Sequence, residues 1–194
     1  EGVTSKYFAA LLSNHVDWLV TVDPHLHRHD SLDDVYEIPT TIVESATCVS
    51  EWLGRLDEPI VMVGPDSESE QWVQRVAQLA DAPHIVLEKE RLGDRDVRLT
   101  AEGLEGYLEH RPIVLDDIIS TGSTMIETVA RLSASGYQAP ICIGIHAVFA
   151  EDVMGRLLEA GAERVVTCNT IPNPTNAIEV DDVLARAVCE RLGL

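Results

Sequence analysis

The sequence predicts an α/β fold: a parallel sheet with helices covering both faces. Two observations carry this. Short, β-branched apolar runs recur along the chain, and through its middle and end stretches with helical periodicity lie between them. Strands buried on both faces read as continuous apolar runs, and their alternation with amphipathic helices is the signature of a parallel sheet. The runs are Trp18–Val22, Pro59–Val63, His84–Leu87, Pro112–Leu115, Ile141–Ile145 and Arg164–Thr167. The helical patterns are Lys6–Asn14, Glu68–Ala80, Thr124–Ser135, Glu151–Ala160 and Asp181–Arg191. Gly136 and Gly161 each fall just past a helix, where a left-handed cap is expected.

Two stretches depart from the alternation. Residues 88–111 carry Gly93, Gly103 and Gly106 among many charges, and read as a long excursion leaving the sheet. Residues 1–22 supply one helix and one strand followed by a His-rich loop, which is half an α/β unit. That half unit reads as a small edge layer or as the end of a preceding domain.

Charge narrows the function. The 194 residues hold 14 Lys+Arg against 33 Asp+Glu, a formal net charge of −19, with 45% hydrophobic residues. The apolar fraction fits a folded core. A polyanion lacks the broad basic face that neutralises nucleic-acid phosphates, so no nucleic-acid partner is expected. No apolar run reaches membrane-span length and the start carries no signal-peptide pattern, so the expectation is a cytoplasmic protein without a membrane partner. Cys48, Cys142, Cys168 and Cys189 form no CxxC pair and read as buried free thiols. The two lysines are Lys6 and Lys89. Lys89, Arg91, Arg95 and Arg98 gather four of the 14 cations into one loop, which points to a local use for them.

Ligands of open α/β sheets bind beyond the carboxyl ends of the strands. The most informative such end is Ile113-Val-Leu-Asp-Asp-Ile-Ile-Ser-Thr-Gly-Ser-Thr124. A buried strand delivers Asp116 and Asp117, and the Ser120-Thr121-Gly122-Ser123-Thr124 loop then opens a helix. Backbone amides at a helix N-terminus suit a phosphate monoester, and Gly122 permits close backbone approach. Ionised carboxylates only accept hydrogen bonds, so vicinal sugar hydroxyls are natural partners. Together these features describe a ribose-5-phosphate site. His25, His27 and His29 alternate ahead of Asp30, but nothing completes a zinc site at recognisable spacing.

The 113–124 segment resembles the phosphoribosyl-pyrophosphate (PRPP) binding signature of the type I phosphoribosyltransferase fold. Three further segments resemble the ribose-phosphate diphosphokinases (PRPP synthases) within it. Val20-Thr-Val-Asp-Pro-His-Leu-His27 is similar to that family's Thr-Val-Asp-x-His segment. Val61-Met-Val-Gly-Pro-Asp66 is similar to its pyrophosphate loop, and Lys89-Glu-Arg91 to its catalytic flexible loop. The four motifs occur in family order across nearly the whole chain.

The resemblance implies the following roles. Asp116, Ser120, Thr121, Gly122, Ser123 and Thr124 bind ribose 5-phosphate, and Asp117 shares the hydroxyl contacts. Gly64, Pro65, Asp66, Ser67 and His27 border the pyrophosphate of ATP. His25 and Asp66 hold Mg²⁺. Lys89 and Arg91 are catalytic, Arg91 also reaching the sugar phosphate. The implied reaction moves pyrophosphate from Mg-ATP to ribose 5-phosphate, giving PRPP and AMP, in a homo-oligomer. The implied organisation is residues 1–44 as the end of an N-terminal phosphoribosyltransferase-like domain and 45–194 as the C-terminal one. A PRPP-consuming phosphoribosyltransferase and a catalytically silent, PRPP-synthase-like regulatory subunit are the alternatives. The first needs neither the Thr-Val-Asp-x-His segment nor the Lys-x-Arg loop, and the second has no chemical need for Lys89, Arg91, Asp66 and Asp116 together.

Overall fold

The computed structural model describes residues 4–26, 29, 31–91, 97–100, 104–150 and 152–194, with backbone alone for 88–91, 97–100 and 104–105. In chain order the elements are α1 (Thr4–Ser13), β1 (Leu19–Val22), β2 (Thr40–Val43), α2 (Ala46–Leu53), β3 (Ile60–Gly64), α3 (Glu70–Ala80) and β4 (His84–Val86). There follow β5 (Glu88–Arg91), β6 (Val97–Thr100), β7 (Arg111–Ile119), α4 (Ser123–Ala134) and β8 (Ile141–Ala147). The chain ends with α5 (Val153–Glu159), β9 (Arg164–Cys168), β10 (Asn176–Ile178) and α6 (Asp181–Leu192). Gly136 and Gly161 adopt positive φ, as the helix-end reading anticipated.

Two compact units divide the chain: residues 1–45 with 180–194, and residues 46–179. In the first, β1 and β2 pair in parallel, Leu19 opposite Thr40 through Val22 opposite Val43. Asp23 ends β1 with a left-handed φ of 34°. Its buried carboxylate accepts from the Ser45 N–H at 2.8 Å, which ties the exits of β1 and β2 together. A buried carboxylate bonded to a backbone amide justifies a strained backbone at a non-glycine position. Helix α6 packs on β1 and β2. The last fifteen residues therefore group with the first unit, which differs from the expected continuous block 45–194. The reason is its packing partner, which sequence order does not reveal.

The second unit is built on a six-stranded sheet in the order β10-β9-β8-β7-β3-β4. All of its pairings are parallel. β7 is its centre, with Ile113, Val114 and Leu115 fully buried. Each such side chain contributes about 1.5–3 kcal/mol by leaving water. From β3 the chain crosses over through α3 to β4 in one direction. From β7 it crosses through α4 to β8, and through α5 to β9, in the other. Right-handed crossovers running in opposite directions put α3 on one face and α4 and α5 on the other. α2 joins α3. Helix α4 buries Met125, Thr128, Val129 and Leu132, an i, i+3, i+4, i+7 stripe. Met125, Val129 and Leu132 pack with Val153 and Leu157 of α5 over Val114, Cys142 and Val165 of the sheet.

The 88–111 excursion has structure of its own. β5 and β6 form an antiparallel ribbon, Glu88 opposite Thr100 and Arg91 opposite Val97. Of the four thiols, Cys142 and Cys168 are buried, Cys48 is half-buried and Cys189 is exposed, so the buried-thiol reading fails at Cys189. Burial pushes the Cys142 thiol up to about 12, leaving it inert. Among the described residues no helix is long and apolar enough to cross a membrane.

Candidate functional site

Between β3 and β7 the crossovers diverge, which makes their carboxyl ends the switch point of the sheet, where open α/β sheets leave a crevice. Pairing places the sequence motifs there. β3 pairs with β7 only through Val63 opposite Val114. β7 then runs five residues further, alongside β8, to Ile119. Asp116 sits on this extension, and the loop 120–124 leaves from its tip.

The loop and its strand line a cavity of about 120 Å³, bounded by Asp116, Ile118, Ile119, Ser120, Thr121, Gly122, Ser123, Thr124 and Met125. A buried water occupies at least about 10–15 Å³ on this kind of measure, so the volume admits a group the size of a phosphate. Gly122 is the N-cap of α4 with φ 65°. A side chain there would run into Val153 Cγ2, so glycine is required both by conformation and by space. Its carbonyl accepts from the Ile126 N–H at 2.7 Å, the first bond of α4. The Thr121 and Ser123 hydroxyls lie 3.1 Å apart, both exposed at the helix start.

Asp116 and Asp117 part company. Asp116 lines the cavity, and the Asp117 N–H donates to its Oδ1 at 3.0 Å. Asp117 is buried at 5% exposure and is not part of the lining. Strand neighbours point to opposite faces, so a vicinal pair on β7 offers one carboxylate to the cavity. The expected sharing of hydroxyl contacts by Asp117 thus finds no support in the cavity. Burial, then the charges of Asp117 and Asp66, push the Asp116 carboxyl up from 3.8 to about 7.

Asp66 follows β3 and caps the short turn Ser67–Ser69, accepting from the Glu68 N–H at 3.1 Å. The Ser69 hydroxyl donates to the Asp66 carbonyl at 2.6 Å and is fully buried. A Cβ on Gly64 would come within 2.7 Å of that hydroxyl. Gly64 therefore serves the packing of this turn against β3, Pro65 is buried, and Ser67 is exposed beside Asp66. A carboxylate followed by first-turn acids fits the capping reading of this segment.

The other expected residues fall elsewhere. His25 is exposed in the loop after β1, in the first unit, whereas Asp66 belongs to the second. His27 lies outside the described residues, as does Arg95. Lys89 and Arg91 stand on β5, opposite Leu99 and Val97, two residues apart and so at the same phase of the strand alternation. Among the described residues no group of three or more His, Cys, Asp and Glu side chains is placed to hold a metal ion.

Sequence reasoning missed three neighbours of the cavity. Arg156 of α5 donates to the Thr121 carbonyl at 3.5 Å, and the Ala150 N–H donates to the Ser120 carbonyl at 3.1 Å. His146, opposite Ile118 on β8, bonds through Nδ1 to the Thr170 hydroxyl at 2.9 Å. Thr170 in turn donates to the Ile145 carbonyl, which anchors the 169–176 loop to β8. Only the position of Arg156 one turn into a helix after the sheet was visible beforehand, and that is no motif.

Comparison with known proteins bears on the family and the fold. The family model for the phosphoribosyl transferase domain matches residues 31–184. The ribose-phosphate pyrophosphokinase of Methanopyrus kandleri is 31% identical over 191 residues, covering 97% of this chain and 64% of the relative. That of Sulfolobus acidocaldarius is 30% identical over 168 residues, covering 85% and 56%. The chain thus spans roughly six tenths of the length of these relatives. Among solved structures, the phosphoribosylpyrophosphate synthetase of Mycobacterium smegmatis superposes with a TM-score of 0.83 at 24% identity, over all of this chain and 65% of that one. The adenine phosphoribosyl transferase of Trypanosoma brucei gives a TM-score of 0.51 at 15% identity, over 74% and 75%. These structures show the fold. With the family model covering most of its length, the chain belongs to the phosphoribosyl transferase domain family, and its curated relatives set it beside the ribose-phosphate pyrophosphokinases.

Proposed function

We propose that the full-length protein is a ribose-phosphate diphosphokinase, transferring pyrophosphate from Mg-ATP to the anomeric hydroxyl of ribose 5-phosphate. The observation that carries this reading is the cavity at the switch point, where a single carboxylate stands beside a glycine-capped helix start. The 5-phosphate sits on the 120–124 loop, against the positive end of α4. Asp116 accepts from a ribose hydroxyl. Its carboxyl, raised to about 7 by burial and then by the charges of Asp117 and Asp66, gains an ionised form once a donor arrives, so binding and deprotonation are coupled.

The anomeric oxygen attacks the β-phosphorus of ATP. The bond from that phosphorus to the α-bridging oxygen breaks, AMP leaves, and the hydroxyl proton is released. Lys89 and Arg91, on the β5–β6 ribbon, supply positive charge to the transferring group. Mg²⁺ fits Asp66, a hard oxygen ligand close enough to Asp116 to shift it. Mg²⁺ at such a site takes one or two carboxylates, with water and substrate phosphates filling the rest, so a site short of three protein ligands is what this ion uses. Bound there, it would neutralise phosphate charge and polarise the β-phosphoryl group. The assembly is proposed to be a homo-oligomer in the cytoplasm.

The test is a coupled assay of AMP release in the full-length protein with Mg-ATP and ribose 5-phosphate. AMP formation that depends on ribose 5-phosphate, and falls at least about a hundredfold in Lys89→Ala, supports the reading. Base-dependent pyrophosphate release from PRPP, with no AMP, would replace it by a phosphoribosyltransferase. No turnover of either kind would leave a silent relative.

A further inference from the structure

The phosphate loop is held from behind by α5 and the segment leading into it. The Ser120 carbonyl takes the Ala150 N–H, and the Thr121 carbonyl takes Arg156 Nη1. No peptide bond of the described chain is cis. In a trans peptide the carbonyl of one residue and the N–H of the next point in opposite directions. Tying the Ser120 and Thr121 carbonyls toward 150–156 therefore aims the Thr121 and Gly122 amides the other way. Among the described residues, neither Ala150 nor any of 152–156 lines the cavity. Val153, fully buried against Gly122, keeps the two segments in register.

Charge adds to geometry. Asp116 lines the cavity and the charges of Asp66 and Asp117 reach it, so the field there opposes an anion. Among the described residues, Arg156 is a cation bonded to the loop itself. A guanidinium retains its charge at every working pH and presents several donors from one plane.

We propose that Arg156 is a positioning residue for sugar-phosphate binding: by holding the Thr121 carbonyl it turns the Gly122 amide into the cavity. This rests on the reading of the cavity as the site of a phosphorylated sugar. The contact is long at 3.5 Å, so its effect belongs at the lower end for a charge-assisted hydrogen bond.

The experiment is calorimetric titration of the full-length protein with ribose 5-phosphate and, separately, with Mg-ATP, for wild type, Arg156→Met, Arg156→Gln and Arg156→Lys. Expected is about a tenfold weaker ribose 5-phosphate affinity in Arg156→Met, partial recovery in Arg156→Lys, and Mg-ATP affinity within about twofold throughout. A merely structural role would weaken both ligands together. A second readout is the ¹⁵N–¹H resonance of the Gly122 amide in glycine-labelled protein. It should move on addition of ribose 5-phosphate, and move less in Arg156→Met.

Wild-type affinity retained within twofold by Arg156→Met, or an unmoved Gly122 amide in saturated wild type, overturns the proposal while leaving the function intact. Binding with the expected losses but no AMP formation overturns the function and supports the positioning role. Absence of ribose 5-phosphate binding in wild type overturns both.

Discussion

The two ends of the central sheet treat charge in opposite ways. At the amino ends, Arg111 begins β7 with Nε 3.1 Å from both Glu58 carboxylate oxygens. Its Nη1 donates to Glu163 and to the Ala139 carbonyl. Arg164 adds a looser contact to Glu163 and lies over the Trp52 ring at 5.1 Å. One guanidinium thus clasps the approaches to three neighbouring strands. At the carboxyl ends the charges that meet are alike: Asp116, Asp117 and Asp66, with the first raised to about 7. Paired charges hold a scaffold, whereas like charges held close reserve binding energy for a ligand. The contrast sets residues that stabilise apart from residues proposed to bind, and the substitutions below are expected to move stability and affinity separately.

The largest effect is expected at Gly122→Ala. A Cβ there meets Val153 in a left-handed backbone, so ribose 5-phosphate affinity should fall at least about a hundredfold. Val153→Ala added to it should recover little, because φ remains unfavourable. Calorimetric titration checks both. Arg111→Ala should cost about 2–3 kcal/mol of unfolding free energy, because Glu58 and Glu163 lose their partner in a setting only partly screened by water. Denaturant titration measures this, with ribose 5-phosphate affinity unchanged.

Asp116→Asn should behave inversely, losing ribose 5-phosphate affinity while gaining about 1–3 kcal/mol of stability at pH 8. The folded carboxyl at about 7 lies above its ordinary 3.8. Between those values the unfolded chain sheds a proton that the folded chain keeps, so stability falls as pH rises through the window and levels off above it. The Asn variant should lose that component of the slope in melts from pH 4 to 8. The smallest effect is expected at Thr170→Val. Removing the His146 partner and the Ile145 bond should cost about 1 kcal/mol and loosen the 169–176 loop, measured by denaturant titration and amide exchange.

The sequence made the periodic parts of the molecule legible. Continuous apolar strands and one-sided helices follow directly from burial on both faces of a parallel sheet, and the 113–124 motif lies where the strand order turns. Other parts carried no such signal. α2 contains Thr47, Cys48, Val49 and Ser50, poor helix formers whose helix is imposed by packing on α3. The Glu-Lys-Glu-Arg run of β5 has no apolar alternation and becomes a strand through β6. The division of labour between Asp116 and Asp117 depends on strand phase against a cavity. The tethers from Ala150 and Arg156 join residues some thirty positions apart, and no motif marks them. α6 returns to β1 and β2 for the same kind of reason, a packing partner invisible in local sequence.

The central claim is that a sugar held at the carboxyl ends of β3 and β7 receives both outer phosphates of ATP. Phosphorus-31 spectroscopy of the full-length protein with ribose 5-phosphate and Mg-ATP observes that transfer directly. The account predicts AMP rising in step with a new diphosphate on the sugar, and both lost in Gly122→Ala. Formation of ADP with a singly phosphorylated anomeric carbon, or unchanged ATP in the presence of bound ribose 5-phosphate, would contradict it.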